Sequence, residues 1–236
     1  MSKQLRSKII SEISDNRIST VEVCDTLNKS GSIDGVIPLS PGQFAVGEAF
    51  YVYASEESNH DLHSQISRAP QDSIVFIDVI NCNGRAPVGD IMAKYLHLYR
   101  KVKAIVVNGP VRDAHTLIKE NRPIWCKGVT PIGCFNEHRS LSAKSREIAK
   151  KGATRFNNSI ITCDDSGIAI IPKKEITNNI LEKLQLIELQ EDIWYHCIDT
   201  LKWDTYQTIA KKDYLTKKNV ISEEILKKLK EFKYEK

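Results

Sequence analysis

Apolar residues in the middle of the chain fall into short unbroken runs, with helically spaced ones between them. Ser73 to Ile80 (SIVFIDVI) and Ala104 to Val107 (AIVV) are rich in β-branched residues, and Met92, Tyr95, Leu96 and Tyr99 recur at helical spacing over Ile91 to Val102. Strands apolar at nearly every position are covered on both faces, so this strand, helix, strand unit predicts a parallel pair with a right-handed crossover. Before it, Leu5, Ile9, Ile10 and Ile13 mark an amphipathic first helix. A second helix is expected from Thr20, where Ser19-Thr20-Val21-Glu22 has capping-box spacing, to a stop before Gly31. Residues 32–47 read as irregular, Glu48 to Ala54 as a strand with Phe50, Val52 and Ala54 on one face, and Asn59 to Arg68 as a helix. After it come a short helix over Ala114 to Asn121, strands at Pro123 to Cys126 and Gly167 to Ile171, and a polar helix over residues 134–154. Apolar positions with a period near 3.6 predict a long helix from Ile176 to Leu201, with Trp194, Cys197 and Leu201 in the core. A last helix starts behind a Ser222 cap and carries Ile225, Leu229 and Phe232 on one side. The expected fold is therefore α/β, one domain over residues 1–205 with N-terminal helices, followed by a Lys-rich helical extension over 206–236.

Composition narrows the function classes. A chain of 236 residues with 41% hydrophobic and 27% charged residues sits at the globular average, which excludes disorder and fibrous repeats. The formal charge of +4 comes from residues 211–236, which hold nine Lys against five acidic residues. The remainder is neutral and offers no basic face for nucleic acid. No apolar run approaches 18 residues, so no membrane partner and a cytoplasmic location are expected. The six cysteines form no CxxC pair and read as buried free thiols.

Candidate chemistry collects at the carboxyl ends of the two central strands, where ligands bind in open α/β sheets. Gly84 to Asp90 (GRAPVGD) leads into a helix start, whose Ile91 and Met92 N–H groups are expected to point into the loop region as an anion site. Asn108 to Asp113 (NGPVRD) brings Arg112 and Asp113 to the same edge. A guanidinium fork beside free amides makes a carboxylate clamp. Asp90 and Asp113 next to a bound anion call for a cation between them, and a few oxygen ligands completed by a chelating substrate is how Mg²⁺ is held. Both aspartates also fit simple helix caps, and Arg112 a solvated loop residue. Among the histidines, His60 and His63 read as solvated, His115 as a helix-surface residue, and none of His60, His63, His97, His115 and His138 has a metal-ligand spacing.

These segments also carry a resemblance. Gly89-Asp90-Ile91-Met92-Ala93, Val107-Asn108-Gly109-Pro110-Val111-Arg112-Asp113, Pro123 with Lys127-Gly128-Val129-Thr130-Pro131, and Asp164 to Pro172 (DDSGIAIIP) follow one another in order, preceded by Thr20 to Leu27 and Gly47-Glu48-Ala49-Phe50. Over residues 18–200 the chain resembles the RraA-like family, which includes class II 4-hydroxy-4-methyl-2-oxoglutarate and 4-carboxy-4-hydroxy-2-oxoadipate aldolases. The resemblance implies a single α/β/α domain of the swivelling phosphohistidine-domain type. It also implies a lyase dependent on Mg²⁺ or Mn²⁺ that cleaves 4-hydroxy-2-oxo acids to pyruvate or decarboxylates oxaloacetate. Arg112 would then hold the pyruvoyl end and stabilise the enolate with the metal, and Asp113 would anchor the metal. Gly89, Asp90, Ile91 and Met92 would line the substrate carboxylate, with Asp90 reaching the metal through water. Glu191 of the long helix would join it from a neighbouring subunit, in a homotrimer or hexamer. Two other readings stay open: a non-catalytic regulator that binds an RNA-processing enzyme, against which the presence of Asp113 counts, and an enzyme of altered chemistry in which residues 134–159 differ.

Overall fold

The computed structural model describes residues 3–217 and 220–231. Its centre is a seven-stranded mixed sheet in the order β1-β5-β4-β3-β2-β6-β7. The strands are β1 (Ile37–Pro38), β2 (Ala45–Ser55), β3 (Ile74–Ile80), β4 (Ala104–Asn108), β5 (Ile124–Cys126), β6 (Ile160–Asp164) and β7 (Gly167–Ile171). β2, β3, β4 and β5 run parallel, with Phe76 opposite Tyr51 and Val106, as the uninterrupted apolar runs predict. β1 pairs antiparallel with β5, and the β6–β7 hairpin adds antiparallel to β2. The sheet curls until its ends approach: Trp125 Nε1 on β5 donates to the Asp164 carbonyl on β6 at 2.7 Å.

Curling separates an inner face from an outer one. Tyr51, Phe76, Val106, Trp125, Ile161 and Ile170 pack inside, with Phe76 stacked on Phe156 at 4.3 Å between ring centroids. Burying each such side chain stabilises the fold by about 1.5–3 kcal/mol. On the outer face, Val75, Ile77, Ile105 and Val107 meet Leu62, Leu96 and Leu117. These three come from helices α3 (His60–Ile66), α4 (Asp90–Leu98) and α5 (Ala114–Lys119), reached from α1 (Lys3–Asn16) and α2 (Thr20–Thr26). α1 and α2 lie with α7 (Asn178–Tyr195) over the part of the outer face made by Val46, Ile160, Ala169 and Ile171. α6 (Ala143–Phe156) closes the inner side, where Gly152 is needed because a Cβ there would collide with the Tyr51 ring.

Four sequence expectations need correction. β2 does not alternate, because it lies between β3 and β6 and is covered on both faces, so Tyr51 is buried too. The stretch read as irregular contains β1 and the first residues of β2. The helix expected over 134–154 starts at Ala143, where the Ser142 hydroxyl accepts from the Ser145 N–H, and residues 134–142 cross to α3 as a loop. Leu201 is 36% exposed rather than core. The capping box, in contrast, forms as predicted: the Ser19 hydroxyl accepts from Glu22 N–H, and the Glu22 carboxylate from Ser19 N–H at 2.7 Å.

The residues after α7 fold back against its C-terminal end. Ile193 at the end of α7 and Cys197 just beyond it pack with Tyr214 and with Leu229 of α8 (Glu223–Glu231), flanked by Trp194 and Ile225. Ser222 caps α8 as expected, accepting from the Ile225 N–H at 3.2 Å. Phe232 lies outside the described residues. No helix among the described residues is long and apolar enough to cross a membrane.

Candidate functional site

Three loops at the carboxyl ends of β3, β4 and β5 are laced side by side. Val111 pairs parallel with both Val88 and Val129, and Ala86 with Gly133. Backbone bonds from Val111 N–H to Gly128, from Arg112 N–H to Val88 and from Ala86 N–H to Ile132 fix the register. Gly109 lets β4 turn out of the sheet, since a Cβ there would come within 2.6 Å of Val79.

This lacing delivers Arg112 and Asp113 to the start of α4. Arg112 Nε lies 3.6 Å from Asp113 Oδ2, both side chains partly exposed, and Asp113 Oδ2 accepts from the Asp90 N–H at 3.2 Å. Two glycines make room: a Cβ on Gly89 would collide with Asp113 Oδ2, and one on Gly133 would lie 2.5 Å from Arg112 Nη1. Asp113 sits in the left-handed region at φ 59°, at the N-cap of α5 but with no side-chain cap bond. Its carboxylate is turned across to Asp90 instead, so Asp113 is not an ordinary cap.

The helix start differs from the expectation at one atom. Gly89 is the N-cap of α4 and Asp90 its first residue. Asp90 Oδ1 accepts from the Ile91 N–H at 2.7 Å, so that amide is already occupied. A carboxylate one residue upstream is the nearest acceptor, and it takes the bond a ligand was expected to take. Among the described residues, no group accepts from the Met92 N–H. The predicted residues Gly89, Asp90, Ile91, Met92, Arg112 and Asp113 are thus brought together, with the amide pair reduced to Met92. Glu191 is not among them within one chain. Burial raises its carboxyl, and the like charges of Glu22, Asp25 and Asp192 add to the shift, which places it beside α2.

As a metal site, the two aspartates form a partly exposed, all-oxygen donor set, and each keeps a second carboxylate oxygen beyond the bonds above. That chemistry fits Mg²⁺ or Mn²⁺ held partly through water. Around the clamp, Ile91 (79% exposed), Val129 (58%) and Ile132 (55%) present apolar side chains to the outside.

Two further polar groups escaped the sequence reading. On the inner face, Asp78 accepts from Asn108 Nδ2 at 2.8 Å and from the Tyr51 hydroxyl at 3.2 Å, and burial pushes that phenol well above its usual range. Asp78 and Asn108 border a cavity of about 410 Å³ also lined by Lys127 and Arg155. At the start of α3, His60, Asp61 and His138 meet. Hydrogen bonds, first from His60 and then from His138, hold the Asp61 carboxyl below its ordinary value. His138 lies 77 positions from Asp61, and no local spacing announces the contact.

Comparison with known proteins agrees with the architecture. The chain is 27% identical to Protein DlpA of Legionella pneumophila over 186 residues, which is 74% of this chain but 29% of DlpA, so it spans under a third of that relative. It is 26% identical over 170 residues to a provisionally named 4-hydroxy-4-methyl-2-oxoglutarate aldolase of Halalkalibacterium halodurans, covering 70% of this chain and 78% of that one. An uncharacterized protein of Pseudomonas syringae has the same fold, with a TM-score of 0.64 at 20% identity over 82% of this chain and 93% of its own. So does Streptomyces coelicolor RraAS2, described as an unusual member of the RNase ES inhibitor RraA family, with a TM-score of 0.59 at 18% identity over 81% and 96%. The RraA-like (Aldolase/RraA) family pattern matches residues 20–170, which is most of the domain that builds the Arg112 site, and the chain belongs to that family.

Proposed function

We propose that the protein is a divalent-metal-dependent carbon–carbon lyase acting on small 2-oxo acids, by retro-aldol cleavage of a 4-hydroxy-2-oxo acid, decarboxylation of oxaloacetate, or both. The observation that carries this reading is the Arg112–Asp113 pair held against the α4 start by Gly89 and Gly133. An exposed ion pair of this kind adds little to stability, so two glycine cradles around it are better explained by a ligand than by the fold. The name of the Halalkalibacterium relative points the same way.

In this reading the Met92 N–H and the Arg112 fork bind the carboxylate and oxo group of the substrate. Arg112 then balances the negative charge that develops on the oxo oxygen as the C–C bond breaks. Asp113 and, through water, Asp90 would hold Mg²⁺ or Mn²⁺, which when bound supplies Lewis-acid charge to the 2-oxo acid. The apolar rim of Ile91, Val129 and Ile132 suits burial against a second subunit. A trimer or hexamer in which Glu191 approaches a neighbour's site is part of this proposal, as is a site for the reaction in the cytoplasm.

The regulator reading draws on RraAS2, whose description names an RNase ES inhibitor family. The carboxylate of Asp113 turned onto the α4 start favours the enzyme. Pyruvate release from oxaloacetate and from 4-hydroxy-4-methyl-2-oxoglutarate, assayed with Mg²⁺ and with chelator, separates the two. Asp113→Asn is expected to lower the metal-dependent rate at least about a hundredfold. Equal rates in Mg²⁺ and chelator sink the proposal.

A further inference from the structure

The remaining polar constellation is the one at the start of α3. We propose that His60, Asp61 and His138 bind a divalent transition-metal ion of the zinc class, at a site separate from the Arg112 clamp and independent of the lyase reading. Nδ1 of His60 lies 2.9 Å from Asp61 Oδ1, and Nδ1 of His138 lies 3.3 Å from the same oxygen. One ligand atom from each residue falls within 4.8 Å of the others. Zinc bonds of about 2.0–2.2 Å to nitrogen and oxygen put neighbouring ligand atoms about 3–3.5 Å apart. Two of the three edges therefore already have coordination length, and the third pair of ligand atoms has at most 4.8 Å to close.

The donor set selects the ion. Two imidazoles and one carboxylate suit Zn²⁺, Co²⁺ or Ni²⁺, whereas Mg²⁺ prefers oxygen alone. The side chains of His60, Asp61 and His138 keep 52%, 43% and 65% of their exposure, so water can complete the coordination shell. Three protein ligands with open positions distinguish such a site from a closed structural one.

The ligands are also brought together by bonds that do not involve their metal-binding atoms. Ser58 Oγ hydrogen-bonds the carbonyls of Phe135 and Glu137 at 3.1 and 2.6 Å and accepts from the His60 N–H at 3.1 Å. The Asn59 N–H donates to Phe135 O, and the Phe135 N–H to Glu57 O. The guanidinium groups of Arg85 and Arg139 both lie over the Phe135 ring, at 4.4 and 4.3 Å from its centre. The His138 loop and the α3 start are thus fastened by their neighbours, and an ion would meet a site that is nearly assembled.

Calorimetric titration of the full chain with ZnCl₂, backed by Co²⁺ absorption spectra, tests the assignment. The wild type is expected to bind one ion more per chain than His138→Ala, or to bind it at least tenfold more tightly, and Asp61→Asn is expected to match that loss. Neither residue is buried, so both variants should fold. Millimolar Mg²⁺ should leave the zinc isotherm unchanged, and Asp113→Asn should retain it. Isotherms and Co²⁺ bands that survive both His138→Ala and Asp61→Asn would place the ion elsewhere, on the cysteines for example, and overturn the proposal. Loss of the ion in Asp113→Asn would merge the two sites and overturn it equally.

Discussion

The Arg112 clamp and the His60 cluster lie at two ends of one loop, and they are built in opposite ways. The clamp is a product of topology. Parallel neighbours β3 and β4 release their loops at the same sheet edge, and the chain needs only two glycines to let an arginine and an aspartate meet a helix start. The His60 cluster is a product of loop closure, in which residues 135–139 are fastened to the turn between β2 and α3 by backbone and hydroxyl bonds outside the sheet's strands. Chemistry placed by a sheet edge is held by the whole core, whereas chemistry placed by a loop is held by a few local bonds. A change at the first should therefore cost function with little local rearrangement, and a change at the second should cost only what it binds.

The largest expected effect that sharpens this contrast is at Arg112. Arg112→Lys keeps the charge but loses the planar fork, and kcat/KM should fall by about 2–4 kcal/mol in transition-state terms with the melting temperature unchanged. A change below threefold would return Arg112 to the solvated loop residues.

Next comes a histidine of the opposite kind to His60 and His138. His97, near the end of α4, is pulled down to about 4, first by burial. Its Nδ1 lies 3.3 Å from the Val102 carbonyl, and Nε2 is buried with no partner, so a second proton would have no acceptor. Since the folded value lies below the unfolded one, the unfolded chain binds the extra proton first as pH drops. The stability His97 contributes is complete above about 6.5 and is lost as pH falls towards 4, by about 2 kcal/mol. Urea midpoints at pH 7 and pH 4.5 should differ less in His97→Gln than in the wild type. An identical difference would show that other groups set the slope.

The smallest effect tests the loop that joins the two regions. Gly133→Ala puts a methyl group against Arg112 Nη1. It is expected to lower kcat/KM about tenfold, or about 1.4 kcal/mol, while zinc binding at His138 is unchanged. If both activities fall together, the loop moves as one body and the separation drawn above fails.

The sequence makes the first region readable and the second not, for the same reason. Apolar runs at Ser73 to Ile80 and Ala104 to Val107 mark buried parallel strands, and the rule that ligands bind at their carboxyl ends leads directly to Asp90, Arg112 and Asp113. The rule did not foresee that the Asp90 carboxylate takes the Ile91 amide, because the competition is decided by one side-chain torsion. β6 escaped because Ile160 to Cys163 is a short run placed straight after α6, with no glycine or proline between them to mark the boundary. The loop at 134–142 reads as helix because it runs into α6 with no glycine or proline to break it, while the bonds that hold it extended come from Ser58 and Glu57. Contacts between distant segments leave no period in either one.

The position of the N-terminal helices bears on how the chain is completed during synthesis. α1 and α2 are made before any strand of the sheet, yet their apolar faces, with Ile9, Ile13 and Val23, are covered by β6, β7 and α7 and by the start of β2. The central parallel strands can pair while the ribosome is still at work, but β2 waits for β6, more than a hundred residues later, to fill its second edge. Long-range pairings of this kind are slow to form. Helices made before the sheet are thus among the last elements to be buried, and during that interval α1 presents an apolar stripe that the cell must keep from other chains.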